Sequence, residues 1–321
     1  MCYLKKSSSY LINIICVLAL YGIIFSLIST GVLNNYYQGI MVLIMISIIL
    51  SVSLNLVTGF LGQLTLGHAG FMAIGAYTSA IFTKYVNLPD GLEFFLALIL
   101  SGILAAIFGG LISIPALRLK GDYIAILTLG FGEMIRGLII YFSDLTGGAK
   151  GFIGIPYYSN FTVVFIVTVF TIYVLNALIN SRHGRAILSI REDEIAAEAS
   201  GINTVYYKIF AFSVSAFFAG VAGSLFAHYQ MVLDPVKFNY NYSIEILIMV
   251  VLGGLGSMTG SILATIILVS IPQLLIEFSQ YRMLIYSLLL IIIMIFKPSG
   301  LLGRYEFSMS RLISKITKRN K

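Results

Sequence analysis

The sequence predicts an all-α integral membrane protein of about ten transmembrane helices, with N- and C-termini in the cytoplasm. Three observations predict it. Of 321 residues, 59% are hydrophobic and only 10% are charged, where soluble chains carry about 25% charged residues. The apolar residues fall into ten runs, at about 11–32, 37–57, 66–83, 94–117, 123–142, 162–180, 206–229, 243–256, 260–278 and 283–297. With the N-terminus inside, the outer segments hold only Lys84, Lys150, Lys237 and Arg282. Arg136 falls within a span, and the other fifteen of the twenty Lys and Arg face the cytoplasm. Basic loops are retained on that side during insertion, so the asymmetry supports both the span count and the orientation.

The first run follows Lys5 and Lys6 and has the look of a signal peptide. It is too long for one and no small-residue cleavage site follows, so it is expected to stay as the first span. Cys2 and Cys16, the only cysteines, offer neither a disulfide framework nor a metal cluster. Residues 1–303 read as one transmembrane domain. Residues 304–321 form a basic cytoplasmic tail, better suited to anionic lipid than to nucleic acid. The eighth and tenth runs are short for ~30 Å of hydrocarbon, so each is tilted, broken or re-entrant. The outer loop Ser143–Asn160 is dense in glycine and carries Pro156, which marks a turning, non-helical connection. It is either a docking point for an external protein or a plain connector.

Within the spans, most glycines read as packing residues that let backbones approach. Two clusters stand out, because Gly59, Gly62 and Thr65 share the pattern G-x-x-G-x-x-T with Gly253, Gly256 and Thr259. Interrupted apolar segments at matching places can mark a transport site. Here both lie near the cytoplasmic side and run the same way, so the match is short and carries little. Polar residues in spans are the sharper signal, since a buried charge costs several kcal/mol unless paired or solvated. Glu133 and Arg136 are three apart on one helical face of the fifth span. Either they neutralise each other or they grip the two charges of an amino acid in transit. Gln63 and His68 lie near the inner mouth and Glu245 near the outer one. A lone histidine such as His68 is more often a hydrogen-bonded packing residue than a ligand. The candidate path set is Gln63, His68, Tyr77, Glu133 and Arg136. No P-loop, H-E-x-x-H or paired-cysteine motif occurs in the chain, so nothing supports an enzyme or a metal site in it.

One stretch departs from this apolar background. Gly184–Gly201, GRAILSIREDEIAAEASG, holds Arg185, Arg191, Glu192, Asp193, Glu194 and Glu198. Ser189 and Glu192 have capping-box spacing, so a helix is expected to begin there. Gly201 is placed to end it. About eleven residues span only ~16 Å, too short to cross a bilayer. Ile195, Ala199 and Ile202 fall on one face, and Arg191, Glu194 and Glu198 on another. The reading is a short amphipathic helix outside the membrane, offered to a partner.

This stretch, together with GQLTLGHAGFMAIGAY at Gly62–Tyr77, resembles the permease subunit of branched-chain amino-acid ABC importers. In that family the charged stretch is similar to the EAA loop, the coupling helix that docks on the ATP-hydrolysing subunit. The implied coupling residues are Arg185, Arg191, Glu192, Asp193, Glu194, Ala196, Ala197, Glu198 and Gly201. The sequence departs from the generic pattern in one place. With the motif glycine set on Gly201, Ile195 stands where a glutamate belongs and Ala196 and Ala197 follow. The resemblance implies an internal inverted repeat and a bacterial cytoplasmic membrane. Its implied partners are a second, non-identical permease, two cytoplasmic ATPases and an extracytoplasmic substrate-binding protein. No cofactor is expected in this chain, since ATP and magnesium would sit on the ATPases. Urea, amide and ribose permeases share the resemblance more loosely. A secondary transporter driven by an ion gradient, with Glu133 and Arg136 on a proton path, is the competing class.

Overall fold

In the computed structural model the described residues are 34–86, 89–119 and 121–274, with parts of 17–31 and 287–303. The first expected span falls partly and the last largely outside them, and the basic tail and both cysteines fall outside them altogether. α1 (Asn35–Asn55) runs on into a π-helical turn, Leu56–Leu61, and a non-helical stretch leads to α2 (His68–Tyr85). There follow α3 (Asp90–Ala116), α4 (Tyr123–Tyr141) and α5 (Phe161–Ile179). The short pair α6 (Arg182–Glu192) and α7 (Glu194–Ala199) precedes α8 (Thr204–Gln230), α9 (Tyr240–Gly253) and α10 (Met258–Leu274). Five helices are long and apolar enough to cross a membrane, and shorter apolar helices accompany them. The protein is therefore an all-α, multi-pass membrane protein.

The arrangement follows from side-chain size. α2 and α8 occupy the centre, with His68–Tyr77 and Phe218–His228 buried without interruption. Both are rich in Gly, Ala and Ser. In lipid no hydrophobic force drives helices together, so close van der Waals contact between small residues must do it. A Cβ on Gly75 would overlap the backbone of Gly220, and one on Gly223 would overlap the Met72 carbonyl. α3, α4 and α5 lie outside and turn Phe95, Ile107, Ile126, Met134, Ile166 and Phe170 outward, as a lipid-facing surface requires.

The outer side is tied down by polar contacts. His228 sits between Ser79 Oγ at 2.9 Å and the Pro156 carbonyl at 2.9 Å, and Ser79 reaches Ser224 at 2.7 Å. The loop expected to be non-helical holds one α-turn, Ser143–Thr146, and a 3-10 turn, Gly148–Lys150. It also supplies β1 (Phe152–Ile153), which pairs antiparallel with β2 (Val232–Leu233) and so adds a two-residue ladder to the all-α fold. Lys84 Nζ lies 4.3 Å from the centre of the Phe152 ring.

α9 has 14 residues, about 21 Å of helix, well short of the hydrocarbon thickness. Its first turn is anchored to the bundle by Ser243, which is buried. Ser243 Oγ accepts from the Ala69 amide at 3.0 Å, so the starts of α9 and α2 meet. α2 then runs toward Phe238, whose ring centre is 6.1 Å from that of Tyr77 and which precedes α9. The two helices leave their meeting point in opposite senses.

Replacing Gly223 by valine is expected to destabilise the protein by about 1–3 kcal/mol, the usual cost of overpacking a dense site. A thermal midpoint unchanged from the parent in detergent would contradict this crossing.

Candidate functional site

The charged stretch folds as two helices, not one. Ser189 is inside α6 and its hydroxyl turns back to the Ala186 carbonyl at 2.8 Å, so it caps nothing. The first helix is capped instead by Ser181, which accepts from the His183 and Gly184 amides. The chain breaks at Asp193, which adopts an extended conformation. Its carboxylate accepts from the Ile195 and Ala196 amides at 2.9 and 3.0 Å. A carboxylate satisfying two orphan amides is a stronger cap than a serine, so the break falls there. α7 ends as the sequence suggests. Gly201 has φ +82°, its amide donates to the Glu198 carbonyl and the Ile202 amide to that of Ala197, a Schellman closure.

Charged residues of the stretch turn toward the membrane-spanning helices. Glu194 forms a salt bridge with Lys208, which is buried at the foot of α8. Glu198 Oε1 accepts from Thr204 Oγ1 at 2.6 Å. Arg191 Nη1 donates to the Gly59 carbonyl at 2.6 Å. The charged residues thus hold the pair against the membrane domain. Ile195 is 80% exposed, and Ala196 and Ala199 are exposed beside it. Of the alanines in α7 only Ala197 is buried. Arg185, Glu192 and Asp193 are also exposed.

Arg191 reaches a junction. The two glycine clusters that seemed a weak match in sequence touch one another there. Asn55 Oδ1 accepts from the Gly256 amide at 3.0 Å, while its Nδ2 donates to the Ser257 carbonyl and to Ser261 Oγ. A Cβ on Gly59 would overlap Asn55 and the Gly256 amide. One on Gly62 would meet Arg191 Cγ at 2.9 Å, and one on Gly256 would meet Arg191 Nη1 at 2.7 Å. Gly62 and Gly256 also have positive φ, +80° and +85°. One arginine therefore brings the α6–α7 pair against both interrupted helices. Asn55 and Arg191 as a joint are what sequence reading missed, and the duplicated G-x-x-G-x-x-T was its signal.

The candidate path residues do not converge. Gln63 is half-buried in the stretch after Gly62. His68 is buried, with Nε2 2.9 Å from Ser53 Oγ. Tyr77 is buried higher on α2 and its hydroxyl has no hydrogen-bond partner among the described residues. Glu133 and Arg136 pair within α4 at 2.7 Å, and Glu133 Oε1 also accepts from the Tyr240 amide at the start of α9. No group of three or more His, Cys, Asp or Glu that could hold a metal occurs among the described residues.

Comparison with known proteins gives a consistent result. The family model described as branched-chain amino acid transport system / permease component matches residues 36–296. The high-affinity branched-chain amino acid transport system permease protein LivM of Escherichia coli is 40% identical over 294 residues, covering 81% of this chain and 68% of the relative. A probable LivM permease of Methanocaldococcus jannaschii is 25% identical over 233 residues, 64% of this chain and 67% of the relative. The permease protein LivH of Escherichia coli is 25% identical over 284 residues, 80% of this chain and 91% of the relative. No solved structure gives a significant match.

Asp193→Ala removes the cap of α7, which costs about 1 kcal/mol at such positions. The Ile195 and Ala196 amides should then exchange with solvent several-fold faster. Unchanged exchange would show that the break does not depend on this carboxylate.

Proposed function

This chain belongs to the branched-chain amino acid transport system permease family, and from that premise we propose that it is one of two permease subunits of an ATP-driven importer. Its substrates would be leucine, isoleucine and valine. The second subunit would be a non-identical permease of the LivH kind, since relatives bearing both names match this chain. The remaining partners would be two cytoplasmic ATPases, which hold ATP and magnesium, and an extracytoplasmic binding protein. The membrane would be the bacterial cytoplasmic membrane, crossed ten times with both termini inside. The opposed departures of α2 and α9 from one point suit an inverted repeat.

The observation that carries the reading is the α6–α7 pair. Its salt bridge, its Thr204 contact and Arg191 hold one side to the membrane domain. The other side presents Ile195 to the cytoplasm with nothing over it among the described residues. That is the form a coupling element needs, with an apolar face for the ATPase and a polar root in the spans. ATP-driven movement of α6–α7 would shift Arg191, and with it the junction of the two interrupted helices. Coupling of this kind requires the inward-open and outward-open states to hold the ATPase differently. Glu133 speaks against the gradient-driven alternative, because Arg136 and the Tyr240 amide already occupy its carboxylate.

Two variants separate docking from transmission. Ile195→Asp puts a charge into the docking face and should cut co-purification of the ATPase by about tenfold or more. Arg191→Ala should leave the ATPase bound but abolish leucine uptake in proteoliposomes. ATPase binding unaffected by Ile195→Asp, or uptake unaffected by Arg191→Ala, would overturn the coupling role.

A further inference from the structure

A pocket of about 360 Å³ opens where α9 begins, lined by Met72, Phe226, Lys237, Phe238, Asn241 and Glu245 among others. We infer that it is a resting site for a zwitterionic, aliphatic α-amino acid on its way through the protein. The inference rests on the importer reading and adds to it a location and a chemical class.

The position fits. The side chain of Tyr242, which also lines the pocket, reaches Ser47, midway along the apolar rod Asn35–Leu61. The pocket thus sits near the middle of the span, where transporter sites form beside helices that start inside the bilayer. Its size lies within the ~300–1,000 Å³ range of small-molecule sites.

The lining matches an amino acid group by group. Met72, Phe226 and Phe238 supply an apolar wall for a branched side chain. Lys237 and Glu245 supply one cation and one anion, and neither forms an ion pair among the described residues. Lys237 Nζ rests 5.9 Å from the centre of the Phe226 ring, so its charge is held beside the apolar wall. The amides at the start of α9 are already used by Glu133 and by the Asn239 cap. The ligand's carboxylate therefore falls to Lys237 and its ammonium to Glu245, with Asn241 as a neutral donor and acceptor. Behind Phe238 lies Tyr77, a buried hydroxyl with no hydrogen-bond partner among the described residues. Both side chains are exposed, so a zwitterion can reach the two and neutralise them at once. Urea or a sugar would neutralise neither, which selects the amino acid among the substrates of related permeases.

The test uses the complete complex purified with its partners. A diazirine analogue of leucine is photolysed with the complex, both without nucleotide and trapped with ATP, and the labelled peptides are mapped. Labelling should fall on Met72, Phe226 or Phe238. Excess L-leucine should suppress it. Leucinamide, which lacks the carboxylate, and 4-methylpentanoate, which lacks the ammonium, should compete at least about tenfold less well. Glu245→Gln should weaken labelling and shrink the advantage of leucine over 4-methylpentanoate, a change that a purely structural role would not produce. Labelling confined to other segments, or equal competition by all three compounds, overturns the site while ATP-driven leucine uptake by the same complex keeps the importer reading intact. Absence of that uptake overturns the importer reading, and the site falls with it.

Discussion

A helix interrupted inside a bilayer must find partners for the backbone groups it frees, because no water is there to take them. Most of this structure depends on how that demand is met at one point. The π-helical end of α1 leaves the Gly59 carbonyl to Arg191, and the break between α9 and α10 leaves the Gly256 amide and Ser257 carbonyl to Asn55. Glycine at 59, 62 and 256 makes room for the two side chains. Any larger residue would push the breaks apart and strand their polar groups. The same contacts that satisfy the backbone also join the short charged helix α6 to two long apolar ones.

That joint explains the division of labour across the molecule. The glycine-packed crossing of α2 and α8 is dense and can move only as a body. The outer loop is pinned to it through His228 and the β1–β2 ladder. α9 and α10 pack on each other through an apolar cluster of their own, Met249, Leu252, Ala264 and Leu268. A displacement delivered by Arg191 would therefore be taken up at α9, and α9 begins at the mixed-charge pocket. On the proposed function, docking face, joint and pocket would act in series.

Much of this was legible in the sequence. Apolar runs bounded by polar residues placed the long apolar helices among the described residues to within a few residues. The charged stretch was visible as the one place where an apolar chain spends charge. The pairing of Glu133 with Arg136 and the closure at Gly201 follow from helical spacing and left-handed φ. The faces of α6–α7 did not follow, for a physical reason. An amphipathic helix is read as turning its apolar side inward, but the surface it lies on here is the polar floor of a membrane domain. Thr204, the buried Lys208 and the Gly59 carbonyl attract charge, so Ile195 is left outside. The start of α7 was misplaced because two caps compete within four residues, and spacing cannot rank Ser189 below Asp193. The meeting of the glycine clusters was hidden because it joins residues some two hundred positions apart.

The most direct test of the account is leucine transport by proteoliposomes containing this chain, the second permease and the ATPases, with leucine-loaded binding protein outside and no ion gradient. The account predicts uptake that requires ATP, together with hydrolysis that rises when the loaded binding protein is added. Uptake that proceeds without ATP and follows a proton gradient would contradict it.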